Sequence, residues 1–104
     1  MEYSILVSAE AKSNLKEYLS YLVHQKKSRQ AAKNVLDDYK DTIDTLKNVA
    51  GSLKLCDNPK LAKRGLRRIN FKRHNYFMLY YLDNSNVVIT NIFHKLEDYE
   101  AGLN

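Results

Sequence analysis

The spacing of apolar positions changes twice along the chain. Tyr3, Ile5 and Val7 alternate with Ser4, Leu6 and Ser8, a period of two that predicts a short strand. The period then lengthens: Ala11, Leu15, Tyr18, Leu19 and Leu22 recur at helical intervals, with Lys12, Lys16, Glu17 and Ser20 on the wet side. Ser8 precedes this run as an N-cap, since its hydroxyl can accept an orphan amide, and Glu10 puts negative charge in the first turn. The polar stretch Gln25-Lys26-Lys27-Ser28 interrupts it. Ser28 then caps a second helix carrying Ala32, Val35, Leu36, Tyr39, Ile43, Leu46 and Val49, which Gly51 is expected to close in the left-handed conformation. From Gly65 to His94 the pattern becomes strand-like again. Three runs rich in Ile, Val, Phe and Tyr, residues 66–72, 75–82 and 87–93, are separated by Arg73-His74 and by Asp83-Asn84-Ser85-Asn86. Asn and Asp tolerate the left-handed conformations of tight turns, so these runs read as an antiparallel meander.

Two amphipathic helices joined by a short polar turn make an antiparallel hairpin whose apolar stripes need a partner, and the sheet supplies one. Residues 52–64 show no clean period, contain Pro59 and read as a loop. Residues 95–104 carry Leu96, Tyr99 and Leu103, which suit a short terminal helix or a tail. The expected architecture is a single α+β domain over residues 1–104: an N-terminal strand, a helix hairpin, a three-stranded antiparallel meander and a short C-terminal helix, in two layers.

Charge adds a direction to this plan. Lys54, Lys60, Lys63, Arg64, Arg67, Arg68, Lys72 and Arg73 are opposed in their window only by Asp57, a local charge of +7 within a net +5. The other nine basic residues face eleven acidic ones. Such a patch attracts phosphate backbones or an acidic protein by the same long-range field. No apolar run approaches the ~20 residues of a membrane span, and the N-terminus lacks a basic leader followed by a long apolar segment. Cys56, the single cysteine, has no partner for an internal disulfide or a cysteine metal site, which suits a reducing cytoplasm. His24, His74 and His94 share no metal-ligand spacing. Glycine is too scarce for a phosphate loop, and no Ser or Cys nucleophile motif occurs. The expectation is therefore a protein without metal or cofactor.

The order of these pieces resembles the RelE/ParE superfamily of bacterial toxins from type II toxin–antitoxin modules. The resemblance rests on a basic loop followed by GLRRINF, an aromatic NYFMLYY strand, and a VVITNIFHKLEDYE ending in which Asp98 follows His94 by four positions. It covers nearly the whole chain. It implies a toxin that arrests growth and is neutralised by a cognate protein antitoxin, in a hetero-oligomeric complex. The superfamily divides by target: the RelE-like branch cuts messenger RNA in the ribosome, and the ParE-like branch inhibits DNA gyrase.

Cutting RNA requires a base for the attacking 2′-hydroxyl, an acid for the leaving oxygen and positive charge on the phosphate. His94 suits the first two tasks, Arg67 and Arg68 the third, and Tyr99 could stack on a base. Lys63, Arg64, Lys72 and Arg73 extend the candidate target-binding surface. Alternation separates Arg68, Asn70 and Lys72 from Arg67, Ile69 and Phe71, so a single site receives one arginine of the pair. Each residue also has a plain reading: a structural histidine, a binding surface, and packing for Tyr76, Tyr80 and Tyr81. One departure separates the branches. Cutting members of the superfamily usually carry an arginine on the third strand where this chain has Phe77, and their helix-flanking lysines have no fixed counterpart among Lys47, Lys54, Lys60 and Lys63. The departure favours gyrase inhibition by binding over a metal-independent ribosomal endoribonuclease. A nucleic-acid-binding module without toxicity is the third reading.

Overall fold

The computed structural model describes residues 2–96. Strand β1 (Ser4–Val7) leads into α1 (Ala9–His24) and α2 (Arg29–Val49); a short α3 (Pro59–Lys63) precedes β2 (Arg67–Asn70), β3 (Tyr76–Asp83) and β4 (Asn86–His94). The four strands form one sheet in the order β1-β4-β3-β2. The meander is antiparallel, and β1 joins its open side parallel to β4, with Ile5 opposite Val87 and Val7 opposite Ile89. The chain is therefore the α+β two-layer arrangement expected. The anticipated terminal helix lies in residues outside those described.

Both helix starts form for the reason the sequence suggests. The Ser8 and Ser28 side chains accept from the amides of Ala11 and Ala31, at 3.1 and 3.0 Å. The helix hairpin lies on one face of the sheet, where Val35, Leu46, Phe71, Tyr76, Met78, Tyr80, Val87, Ile89 and Ile92 make the main core. Leu61, Leu66, Phe77 and Leu79 form a second cluster on the opposite face, under α3.

Three local expectations are corrected. Residues 52–64 are not wholly irregular: Asn58 accepts from the amides of Lys60 and Leu61, Pro59 occupies the first turn without needing a donor, and burial of Leu61 anchors the resulting helix α3. Gly51 does not close α2 in a left-handed conformation. The helix ends at Val49 and tightens into a 3₁₀ turn over Ala50–Ser52, where Gly51 lies so close to the Tyr3 hydroxyl that a Cβ would collide with it. Positive φ falls instead on Lys27, Asn84 and Gly65. Finally, β2 ends at Asn70 rather than Lys72, because residues 72–74 turn inward to bind a carboxylate from α2.

Strand β4 contains a bulge. Leu79 pairs with Asn91 but Tyr80 pairs with Ile89, leaving Thr90 as the extra residue. Strict alternation from Val87 would carry Asn91 and Phe93 toward the helices. The bulge resets the parity, so Val87, Ile89 and Ile92 all reach the main core while Phe93 packs on Phe77, ring centroids 5.8 Å apart. Beyond Val7, where β1 ends, α1 takes over the open side of β4. Asn14 Oδ1 accepts the amide of Ile92 at 3.0 Å, and the Tyr18 hydroxyl accepts that of His94 at 3.1 Å.

Candidate functional site

A buried aspartate on α2 sets the shape of the basic end of the sheet. Asp38 is fully buried, and its carboxylate accepts the backbone amides of Lys72, Arg73 and His74 at 3.1, 3.0 and 2.8 Å, as well as a 2.8 Å contact from His74 Nδ1. Burial pushes this carboxyl upward. The hydrogen bonds from His74 and Arg73, with the nearby Arg73 charge, together outweigh burial and hold it below the usual carboxylate range. Sequence reading missed Asp38, although a signal was available: it sits on the apolar stripe of α2 between Val35 and Thr42, where an acid needs a partner.

The same turn engages Arg73, whose Nη2 lies 2.6 Å from Asp41 and 3.9 Å from Asp38. Arg73 is thus tied to α2, while Lys72 keeps an exposed side chain. Arg67 faces the helices. Its guanidinium donates to the Leu53 carbonyl and pins the segment after α2 to the sheet. Beside it the Tyr80 hydroxyl donates to the Ala50 carbonyl at 2.8 Å, and burial pushes that phenol up to about 12.

Arg68 projects from the other face. Its Nε donates to Asn70 Oδ1 at 2.9 Å and its guanidinium lies over the Phe77 ring, 3.8 Å from the centroid. Lys63 and Arg64 are exposed at the end of α3. A cleft of about 360 Å³ lies between this loop and β2, lined by Lys54, Leu55, Asn58, Arg68 and Asn70 among others.

His94 is elsewhere. It pairs across strands with Tyr76, which belongs to the main core, and its ring stands edge-on to Tyr76 at 5.0 Å. Its Nδ1 accepts the amide of Leu96 at 3.1 Å. Arg68 pairs with Leu79, a member of the outward cluster. Cross-strand partners share a face, so His94 and Arg68 lie on opposite sides of the sheet. Arg67 shares the His94 face, but β3 separates their strands and its guanidinium is engaged at Leu53. Tyr99 lies outside the described residues.

A basic antiparallel sheet, backed by a helix hairpin and joined at one edge by a parallel N-terminal strand, is the architecture of RelE/ParE superfamily toxins. The family model described as the ParE toxin of the type II toxin–antitoxin system, parDE, matches residues 5–99, and the chain belongs to that family. Among solved structures, one from the chromosomal ParDE toxin–antitoxin system of P. aeruginosa superposes with a TM-score of 0.70 at 17% identity, covering 89% of this chain and 96% of that one. No curated protein matches by sequence. Among the described residues, no helix is long and apolar enough to cross a membrane.

Proposed function

We propose that this toxin arrests bacterial growth in the cytoplasm by binding DNA gyrase rather than by cutting RNA, and that a cognate protein antitoxin neutralises it in a hetero-oligomeric complex. One observation carries the choice: His94 at the end of β4 and Arg68 on β2 stand on opposite faces of the sheet, while Arg67 and Arg73 are engaged at Leu53 and Asp41 and His74 at Asp38. A single scissile phosphate would not reach both, which argues against His94 and Arg68 serving together as the acid–base group and charge clamp that RNA cleavage needs. Phe77 adds to this, because on the third strand it carries Arg68 instead of contributing charge of its own. The antitoxin reading draws support from the ParE family match and from the exposed positive charge of Lys60, Lys63, Arg64 and Lys72, which a partner of opposite sign would neutralise.

The test pairs two assays on the purified toxin. Plasmid supercoiling by gyrase should be inhibited, while the ends of ribosome-bound transcripts, mapped by primer extension, should stay unchanged. Transcript cleavage that disappears in His94→Ala would reverse the assignment in favour of the ribosomal endoribonuclease.

A further inference from the structure

We propose that the outward face of the sheet binds an acidic polypeptide segment, and that Arg68 is the specificity-determining residue that takes one of its carboxylates. The inference rests on the reading above, in which this toxin recognises proteins, and adds where and by what chemistry.

The first ground is the state of Arg68. Asn70 holds Nε and the Phe77 ring supports the guanidinium plane, which leaves both terminal amino groups without a partner among the described residues. A guanidinium fixed in this way presents a ready fork for two parallel hydrogen bonds to a carboxylate, and little side-chain entropy remains to be lost on binding. Arg67 offers no such fork, since it is bound to Leu53.

The second ground is what surrounds it. On α3, Lys60 and Lys63 are exposed and make no ion pair among the described residues, and the one acid that lines the cleft with Arg68, Asp57, is already paired with Lys54. On the same side of the sheet the cross-strand register aligns Tyr81, Val88 and Leu6 over three strands. Tyr81 is 37% exposed and Leu6 53%. Basic groups on the same face as a mostly apolar row match a chain in which acidic and apolar side chains are interspersed. A nucleic acid would satisfy the charge and find one stacking ring, Tyr81, but would gain little from Leu6 and Val88, which fill two of the three positions in the row.

An NMR titration of the isotope-labelled full chain tests this, using a synthetic peptide that repeats Glu-Leu-Asp-Ser. The same peptide with Gln and Asn in place of the acids, and an oligouridylate of equal length, serve as comparisons. The acidic peptide should shift the Arg68 Nε–H and the amides of Leu6 and Tyr81. Arg68→Lys, which keeps the charge and loses the fork, should weaken it by about fivefold or more, and Tyr81→Ser should weaken it without touching any charge. Shifts confined to other surfaces, unaltered affinity in Arg68→Lys, equal binding of the neutral peptide, or tighter binding of the oligouridylate at the same residues would each overturn the proposal. Gyrase inhibition by the unmodified chain is scored separately. Peptide binding here without inhibition removes the gyrase reading and keeps this surface; inhibition without peptide binding does the reverse.

Discussion

The two faces of the sheet solve different problems. On the helix side, apolar packing is continuous and the polar groups within it are tied: Asp38 to the turn amides, Tyr80 to Ala50, and Asn14 to Ile92. Among the described residues, no buried side-chain nitrogen or oxygen lacks a hydrogen-bond partner. On the outward side, among the described residues, the five-residue helix α3 covers only part of the surface: Leu6, Leu55 and Tyr81 are exposed, as are Lys60 and Lys63. The first arrangement stabilises the molecule, because a buried polar group is expensive to leave unmatched. The second has the exposed apolar and basic composition that the proposed partner surface requires. The larger core lies on one side of the sheet and only the smaller cluster of Leu61, Leu66, Phe77 and Leu79 on the other, so exposed outward positions beyond that cluster can vary without endangering the fold.

That contrast gives an order of effects. The largest belongs to Asp38→Ala, which orphans buried amides and removes the anchor of the β2–β3 turn. Urea unfolding should show a loss of about 3–5 kcal/mol, a large share of the ~5–15 kcal/mol that holds a domain of this kind. The pH dependence follows from the direction of the shift. The Asp38 pKa is lower folded than unfolded, so its stabilisation is complete above the unfolded value of about 4 and is lost as pH falls through the lower folded value. The gap between wild type and Asp38→Ala should therefore narrow below about pH 4; a gap constant to strong acid would show that the carboxylate is not what holds the turn.

Asn14→Ala comes next. Removing the acceptor of the Ile92 amide should cost about 1–2 kcal/mol, together with faster hydrogen exchange at Ile92. On the outward face Arg68→Ala removes a cation resting on a ring and should cost about 1 kcal/mol or less. The smallest change is expected for Leu6→Thr, within about 0.5 kcal/mol, although its neighbours Ile5 and Val7 pack against the core. If Leu6→Thr proved as damaging as Asn14→Ala, the outward face would be structural and the division of labour between the two sides would fail.

Much of this architecture is written in local pattern. Ser8 and Ser28 declare both helix starts because a hydroxyl one residue before an apolar period has one obvious use. The three aromatic and β-branched runs declare the meander. The α3 helix was hidden because a five-residue helix is too short to show a period, and only the Asn58-Pro59 pair marks its start. Gly51 misled for a related reason: glycine after a helix suggests a left-handed cap, but this one lies in a 3₁₀ turn directly beneath the Tyr3 hydroxyl, which a Cβ would push aside.

By itself, the sequence determined the number and kind of major elements, their amphipathic faces and the concentration of positive charge between Lys54 and Arg73, since each depends on residues within a turn or two of one another. Only the tertiary structure decided which charges stay available. Asp38 and Asp41, more than thirty positions upstream, claim the turn and Arg73, and the Leu53 carbonyl claims Arg67. One extra residue at Thr90 turns His94 away from Arg68. Register, bulges and long-range hydrogen bonds fix where a side chain points, and they depend on how distant segments meet rather than on the order in which residues occur.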